Sequence, residues 1–326
     1  MLVQPDVPGA NQKKSGKMTA RRITRMGRIG MALLSLALGL EWASGPESVR
    51  AGDREPSPEE LRALLDRVIS NQHRDDAALE EYERIERRRV RQREKDTAPS
   101  EDKTFRVIPS GTGNARIVIE ENGRPVDQAL YRKQLENLEQ ALTAALDPAQ
   151  PKQKQAAEKF AKRMRERREM VDAVRNAFRY TWLGREKRNG RTLAKFRLDP
   201  NPEFKPTSRN TSLFANIRAT IWVDETAGQL ARVEAEIFRD IYFVGGLLGK
   251  VYRGGRFVME QAEVAPGIWL PTLYDYNFAG RKFLYGLEVH ELTEVRHYRR
   301  IGLPREALAA IRRELTGSTR TAHSDP

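Results

Sequence analysis

The chain contains no cysteine among its 326 residues. That absence excludes a disulfide framework, a cysteine nucleophile, thiolate metal sites and a lipid-acylated N-terminus. Histidine is nearly as scarce, with four residues: His73, His290, His297 and His323. No His-x-His or His-Glu-x-x-His spacing occurs, so neither a transition-metal centre nor another cofactor is expected. Gly-x-Ser-x-Gly is missing, which removes the local signature of a serine hydrolase. No repeat of solenoid period is present. Long hydrophobic runs are missing too: the most apolar stretch, Met31–Leu40, is about half the ~20 residues a membrane-spanning helix needs.

Charge is plentiful instead. Charged residues make up 32% of the chain, above the usual quarter, and the formal net charge is +13. Hydrophobic residues, at 39%, still suffice for a core. Arg21, Arg22, Arg25 and Arg28 precede the apolar run, and Val49-Arg50-Ala51 supplies a small-residue exit. This order reads as a secretory signal over 1–51, cleaved near Ala51. Met18 is a second candidate start, which would make 1–17 an extension. The expected compartment is the periplasm, with no lipid anchor. Nucleic acid is a poor partner there, whereas a basic protein is drawn to anionic lipid head groups.

The body of the chain opens with helix signals. Ser57-Pro58-Glu59-Glu60 combines a capping residue, a first-turn proline and a capping-box glutamate. Leu61, Leu64, Leu65, Val68 and Ile69 follow with helical spacing, and the helix is expected to end near His73. Residues 80–95 are so charged that a helix competes, but the strand-like segments after them favour a long exposed strand. Those segments are Phe105–Pro109 and Arg116–Glu120, followed by the turn pair Asn122-Gly123. Two helices are predicted next, over about 126–146 and 152–176. The second carries nine Lys/Arg against four Asp/Glu between Lys152 and Arg175. A solvated helix face explains that stripe, and so does a membrane surface or an envelope protein docking on helix 152–175.

From Phe178 to Arg300 the pattern is short amphipathic strands separated by turns. Phe178, Tyr180 and Trp182 share a face by period two, and Ala194, Phe196 and Leu198 share one on the strand returning from Asn189-Gly190. Arg218–Asp224 and Gln229–Phe238 pair around Glu225–Gly228. Further strands are expected over 250–252, 257–264, 268–278 and 282–298, with tight turns at Gly245-Gly246 and Gly254-Gly255. A short helix over 305–315 and a polar, disordered tail complete the chain.

Candidate chemistry is thin. Glu234 and Glu236 would sit about 7 Å apart on one strand face, an acid pair in principle but more simply the wet side of a half-buried strand. His290 and His297, seven apart, would fall on opposite faces of a continuous strand. What remains is apolar shape, in three aromatic strand faces: Phe178/Tyr180/Trp182, Tyr274/Tyr276/Phe278 and Phe283/Tyr285/Leu287. Such faces form a core against helices, or the wall of an acyl-chain cavity. The candidate cavity-lining set is Tyr180, Trp182, Phe196, Tyr274, Tyr276, Phe278, Phe283 and Tyr285.

Several segments resemble the C-terminal half of LolA-like, outer-membrane lipoprotein-sorting proteins. They are Ile221-Trp-Val-Asp224, Gln229–Glu236, Gly245–Lys250, Gly255–Gln261 and Ile268-Trp-Leu-Pro271. The resemblance implies an α+β fold: an open antiparallel β half-barrel with helices covering its concave face. It implies one domain over 52–303, including a helical insertion at 126–176, followed by a C-terminal helix and tail over 304–326. Its implied partners are lipoprotein or lipid acyl chains held in a hydrophobic cavity, without catalysis. The same fold also serves sensors or scaffolds that bind a membrane protein. A hydrolase using Glu234, Glu236 or His290 stands as a third alternative.

Overall fold

The computed structural model describes residues 54–147, 151–243, 249–282 and 285–321. The signal segment expected over 1–51, the end of the tail and Phe283 lie outside these residues. Helix α1 (Pro58–Ala78) starts as its capping box dictates. The Ser57 Oγ accepts the Glu60 N–H at 3.3 Å, and Glu60 Oε2 accepts the Ser57 N–H at 2.6 Å. The helix runs past His73 to Ala78 before strand β1 (Tyr82–Arg91) begins.

The highly charged 80–95 segment does form a strand, but a central one. Flanked by β13 (Tyr285–Arg300) and β2 (Glu101–Pro109), β1 buries Tyr82, Glu83, Arg84 and Glu86. Its charges meet opposite charges from neighbouring strands, which is how a strand this ionic can be central. Arg88 bonds Glu101 at 2.6 Å and Glu291 at 2.8 Å, while Arg87 bonds Asp102 at 2.7 Å. Strands β3 (Asn114–Glu121) and β4 (Arg124–Pro125) extend the sheet beyond β2, joined by a turn with Asn122 and Gly123 both at positive φ.

On the other side β13 pairs with β12 (Ile268–Lys282). That strand in turn pairs with β11 (Arg256–Ala265) and with β10 (Gly249–Val251), whose partner is β9 (Ile241–Phe243). A second, four-stranded sheet runs β5 (Phe178–Arg188), β6 (Arg191–Pro200), β7 (Ile217–Asp224) and β8 (Gln229–Ile237). The sheets join where Ile237 of β8 exchanges backbone bonds of 2.8 Å with Gly254 and Gly255. The result is an α+β fold on an open, antiparallel half-barrel, since β4 and β5 each keep a single strand neighbour.

Helices cover both faces of the sheet. Pairing registers put Ile108 of β2 on the side of Arg106 and Ile117. There Leu135, Leu138 and Leu142 of α2 (Gln128–Ala145) pack with Ala307, Leu308 and Ile311 of α4 (Pro304–Thr321). Each fully buried aliphatic side chain in such a cluster contributes about 1.5–3 kcal/mol. The opposite side carries Arg84, Glu86, Tyr274 and Tyr276, and faces α1 and α3 (Pro151–Ala177). The expected helical pair is therefore divided, with α2 behind the sheet and α3 in front. The C-terminal helix reaches Thr321, longer than expected, and its Ala307, Leu308 and Ile311 complete the α2 cluster.

One further departure concerns β13. His297 takes φ 55°, and the β1–β13 register slips there, so the strand is bulged rather than continuous. The bulge turns Tyr298 toward the α1 side, where it meets Tyr82 edge-on at 6.4 Å.

Candidate functional site

The most enclosed chemistry lies between α1/α3 and the strands they face. Helix α3 touches two aromatic strands from one side. The Tyr180 hydroxyl of β5 donates to the Val174 carbonyl at 2.9 Å, and Arg167, seven residues earlier, faces Tyr274 and Tyr276 of β12. Seven residues are about two helical turns, so these two contacts lie on one side of α3, about 10 Å apart. Tyr274 and Tyr276 stack with centroids 6.1 Å apart, and Phe257 of β11 lies 6.0 Å from Tyr276.

Tyr180, Tyr274 and Tyr298 are half-buried. Burial pushes all three hydroxyls well above the ordinary tyrosine range. Tyr298 donates to the Pro271 carbonyl at 2.6 Å.

Charges share this space. Arg84 bonds Glu86 through Nε and Nη2 at 2.9 Å, and Glu86 also accepts from Arg116. Burial would raise the Glu86 carboxyl, but Arg116 and Arg84 outweigh it and hold it below its usual range. At Glu80 burial prevails over Arg84 and Arg163, and its carboxyl is pushed up. This face is thus mixed, aromatic and charged together. Sequence reasoning missed Arg84, Glu86, Arg167 and Tyr298. Period-two charge along β1 was a visible signal for the first two; the bulge that turns Tyr298 inward had none.

Polar clasps hold the helices over the strands. Arg167 grips Asp76 at 2.5 and 2.6 Å, Arg175 pairs with Asp66, and His73 meets Asp172 at 2.6 Å, all between α1 and α3. Arg67 and Asn71 of α1 donate to the Glu225, Ala227 and Gly228 carbonyls in the β7–β8 turn. On the outer side of α3, Lys154, Lys159, Lys162, Arg165 and Arg168 are exposed. The basic stripe read from sequence is therefore split, since Arg163, Arg167 and Arg175 bind within the protein.

The remaining predicted lining residues scatter. Phe196 is fully buried against Trp182, ring centroids 5.2 Å apart, and Trp182 carries the Arg185 guanidinium at 4.9 Å. Phe278 is buried beside Gly255 and Ile237. Tyr285 is 78% exposed at the end of the β12–β13 hairpin, so it walls no cavity. Its strand turns out to be solvent-lapped there, which period two cannot reveal. Two open depressions lie elsewhere: about 710 Å³ around Arg54, Leu64, Arg67 and Arg185, and about 450 Å³ between Arg299 and Arg313.

The acid-pair alternative does not assemble. Glu234 is bound by Arg232 at 2.5 Å, and Glu236 is exposed. His290 sits on β13, opposite Arg91 and Asn277, with β11 and β12 between it and β8. Its nearest acid, Glu288, is 3.5 Å away. Among the described residues, no helix is long and apolar enough to cross a membrane.

No family model and no curated protein matches the chain. Two solved structures are similar. One is an outer membrane lipoprotein-sorting protein domain from Vibrio parahaemolyticus, 11% identical over 72% of this chain and 92% of that one, with a TM-score of 0.28. The other is a DUF1329 family protein from Desulfovibrio piger ATCC 29098, 11% identical over 76% of this chain and 94% of that one, with a TM-score of 0.25.

Proposed function

We propose that this chain is an exported, periplasmic, non-catalytic protein that binds the acyl chains of a lipid or lipoprotein between its tyrosine-bearing strands and the α1/α3 pair. One observation carries the reading: Tyr180 and Tyr274 stay partly exposed while meeting α3 at Val174 and Arg167. Aromatic walls suit apolar chains. The clasp suits a cover that lifts, because ion pairs and side-chain-to-carbonyl bonds can be exchanged for water at small net cost. Export is read from the segment over 1–51. Lack of catalysis is read from the failure of Glu234, Glu236 and His290 to share a cleft.

The test is native mass spectrometry and organic extraction of the full chain purified from its own cell envelope. Co-purified fatty acyl species are the expected result. Protein that arrives clean, and takes up no fluorescent fatty acid, refutes the reading. The exposed basic ridge of α3 favours a second reading, a scaffold that engages an acidic envelope partner. Clean protein that retains a membrane-protein fragment in pull-down would establish that alternative, and charge reversal at Arg165 and Arg168 should then abolish retention.

A further inference from the structure

The strand face under α1 and α3 carries buried charge that an acyl chain would leave unused. Arg84 is only 6% exposed, and its Nη1 has no hydrogen-bond partner, although Nε and Nη2 are both on Glu86. It stands on the same strand face as Tyr274 and near Tyr298, in the middle of the sheet. A sealed, unpaired guanidinium N–H is costly to keep, so a partner for it is a reasonable demand of the site. Arg167 reaches the same region from α3, with its side chain one-third accessible at 34%.

Arg84, Arg116, Arg163 and Arg167 lie among Glu86, Asp76 and Glu80, and burial favours the neutral form of Glu80. Two guanidinium forks carried on different elements suit an anion with several acceptor oxygens.

We propose that the strand face under α1 and α3 recognises a phosphate head group joined to an acyl chain, with Arg84 and Arg167 on the head group and the chain along Tyr274 and Tyr276. This deepens the acyl-chain reading above and rests on it. The phosphate is gripped at β1, beside the buried Arg84, and the tyrosine stack leads away from it. Opening of the Arg167–Asp76 clasp would free Arg167 for the head group, so ligand and clasp compete for one guanidinium.

Isothermal titration of the full chain with three probes tests this: palmitoyl lysophosphatidic acid, palmitoyl lysophosphatidylcholine and inorganic phosphate. The expected result is that lysophosphatidic acid binds about tenfold more tightly than the zwitterionic lipid, as one or two charge-assisted bonds would give. Arg84→Met should bring the ratio of the two affinities to about one. Arg167→Gln, at a more accessible position, should do the same if Arg84→Met does not fold by circular dichroism. Equal affinity of the two lipids overturns the head-group site while leaving acyl binding intact. Inorganic phosphate binding as tightly as lysophosphatidic acid overturns it in favour of a free-anion site. Absence of binding by either lipid removes the acyl-chain reading itself.

Discussion

Replacing Arg106 with Met should cost much more stability than replacing Arg300, although each arginine pairs with a glutamate of the β1 region. The Arg106 side chain is 11% exposed. Its Nε lies 2.9 Å from Glu83, and its Nη1 lies 2.7 Å from Glu314 and 2.8 Å from the Tyr131 hydroxyl. These bonds tie β1 and β2 to α2 and α4 through one buried cation. Breaking a buried pair by removing one partner costs about 3–5 kcal/mol. Two features place Arg106→Met near the lower end. Glu83 keeps Arg299, and the Tyr131 hydroxyl still donates to Glu314 at 2.8 Å. A loss of about 3 kcal/mol follows. Arg300, whose side chain is 67% exposed, pairs with Glu81 in water, and Arg300→Met should be indistinguishable from the parent. Urea unfolding at neutral pH gives both numbers, and hydrogen exchange should show early opening of α2 and α4 in Arg106→Met. If Arg106→Met lost no more than Arg300→Met, water would have to reach the network, and its role in anchoring α4 would be refuted.

Asp75, almost fully buried in α1, has one carboxylate oxygen without a partner. Burial, only partly offset by Gln229 and Arg74, pushes its carboxyl up. An acid raised on folding stabilises the folded state below its unfolded pKa, and that contribution is lost as pH rises through the folded value. Asp75→Asn should therefore be more stable than the parent at neutral pH by about 1–2 kcal/mol, with the gap closing below about pH 4. Thermal melts across that range check it, and a less stable variant at pH 7 would contradict the assignment. Gly280→Ala should unseat β10, because a Cβ there would strike the Lys250 carbonyl oxygen. A loss of about 1–3 kcal/mol is expected, with faster amide exchange over 249–251. Gly286→Ala, with open space around its Cβ, serves as the control and should leave that exchange unchanged.

The amino-acid order determined whatever depends on near neighbours. Ser57 and Glu60 set the start of α1, Asn122-Gly123 and Asn189-Gly190 turned their hairpins, and period two placed Tyr180 with Trp182 and Tyr274 with Tyr276. Those features need only a few residues to be satisfied, so a short window contains their cause. Tertiary structure decided which side of the sheet each helix covers, and α2 and α3, adjacent in the chain, went to opposite sides. It also decided that Arg84 and Glu86 are buried, since their partners Arg116 and Tyr274 come from strands far away in sequence. An alternating strand has two equivalent sides, and only long-range packing tells them apart.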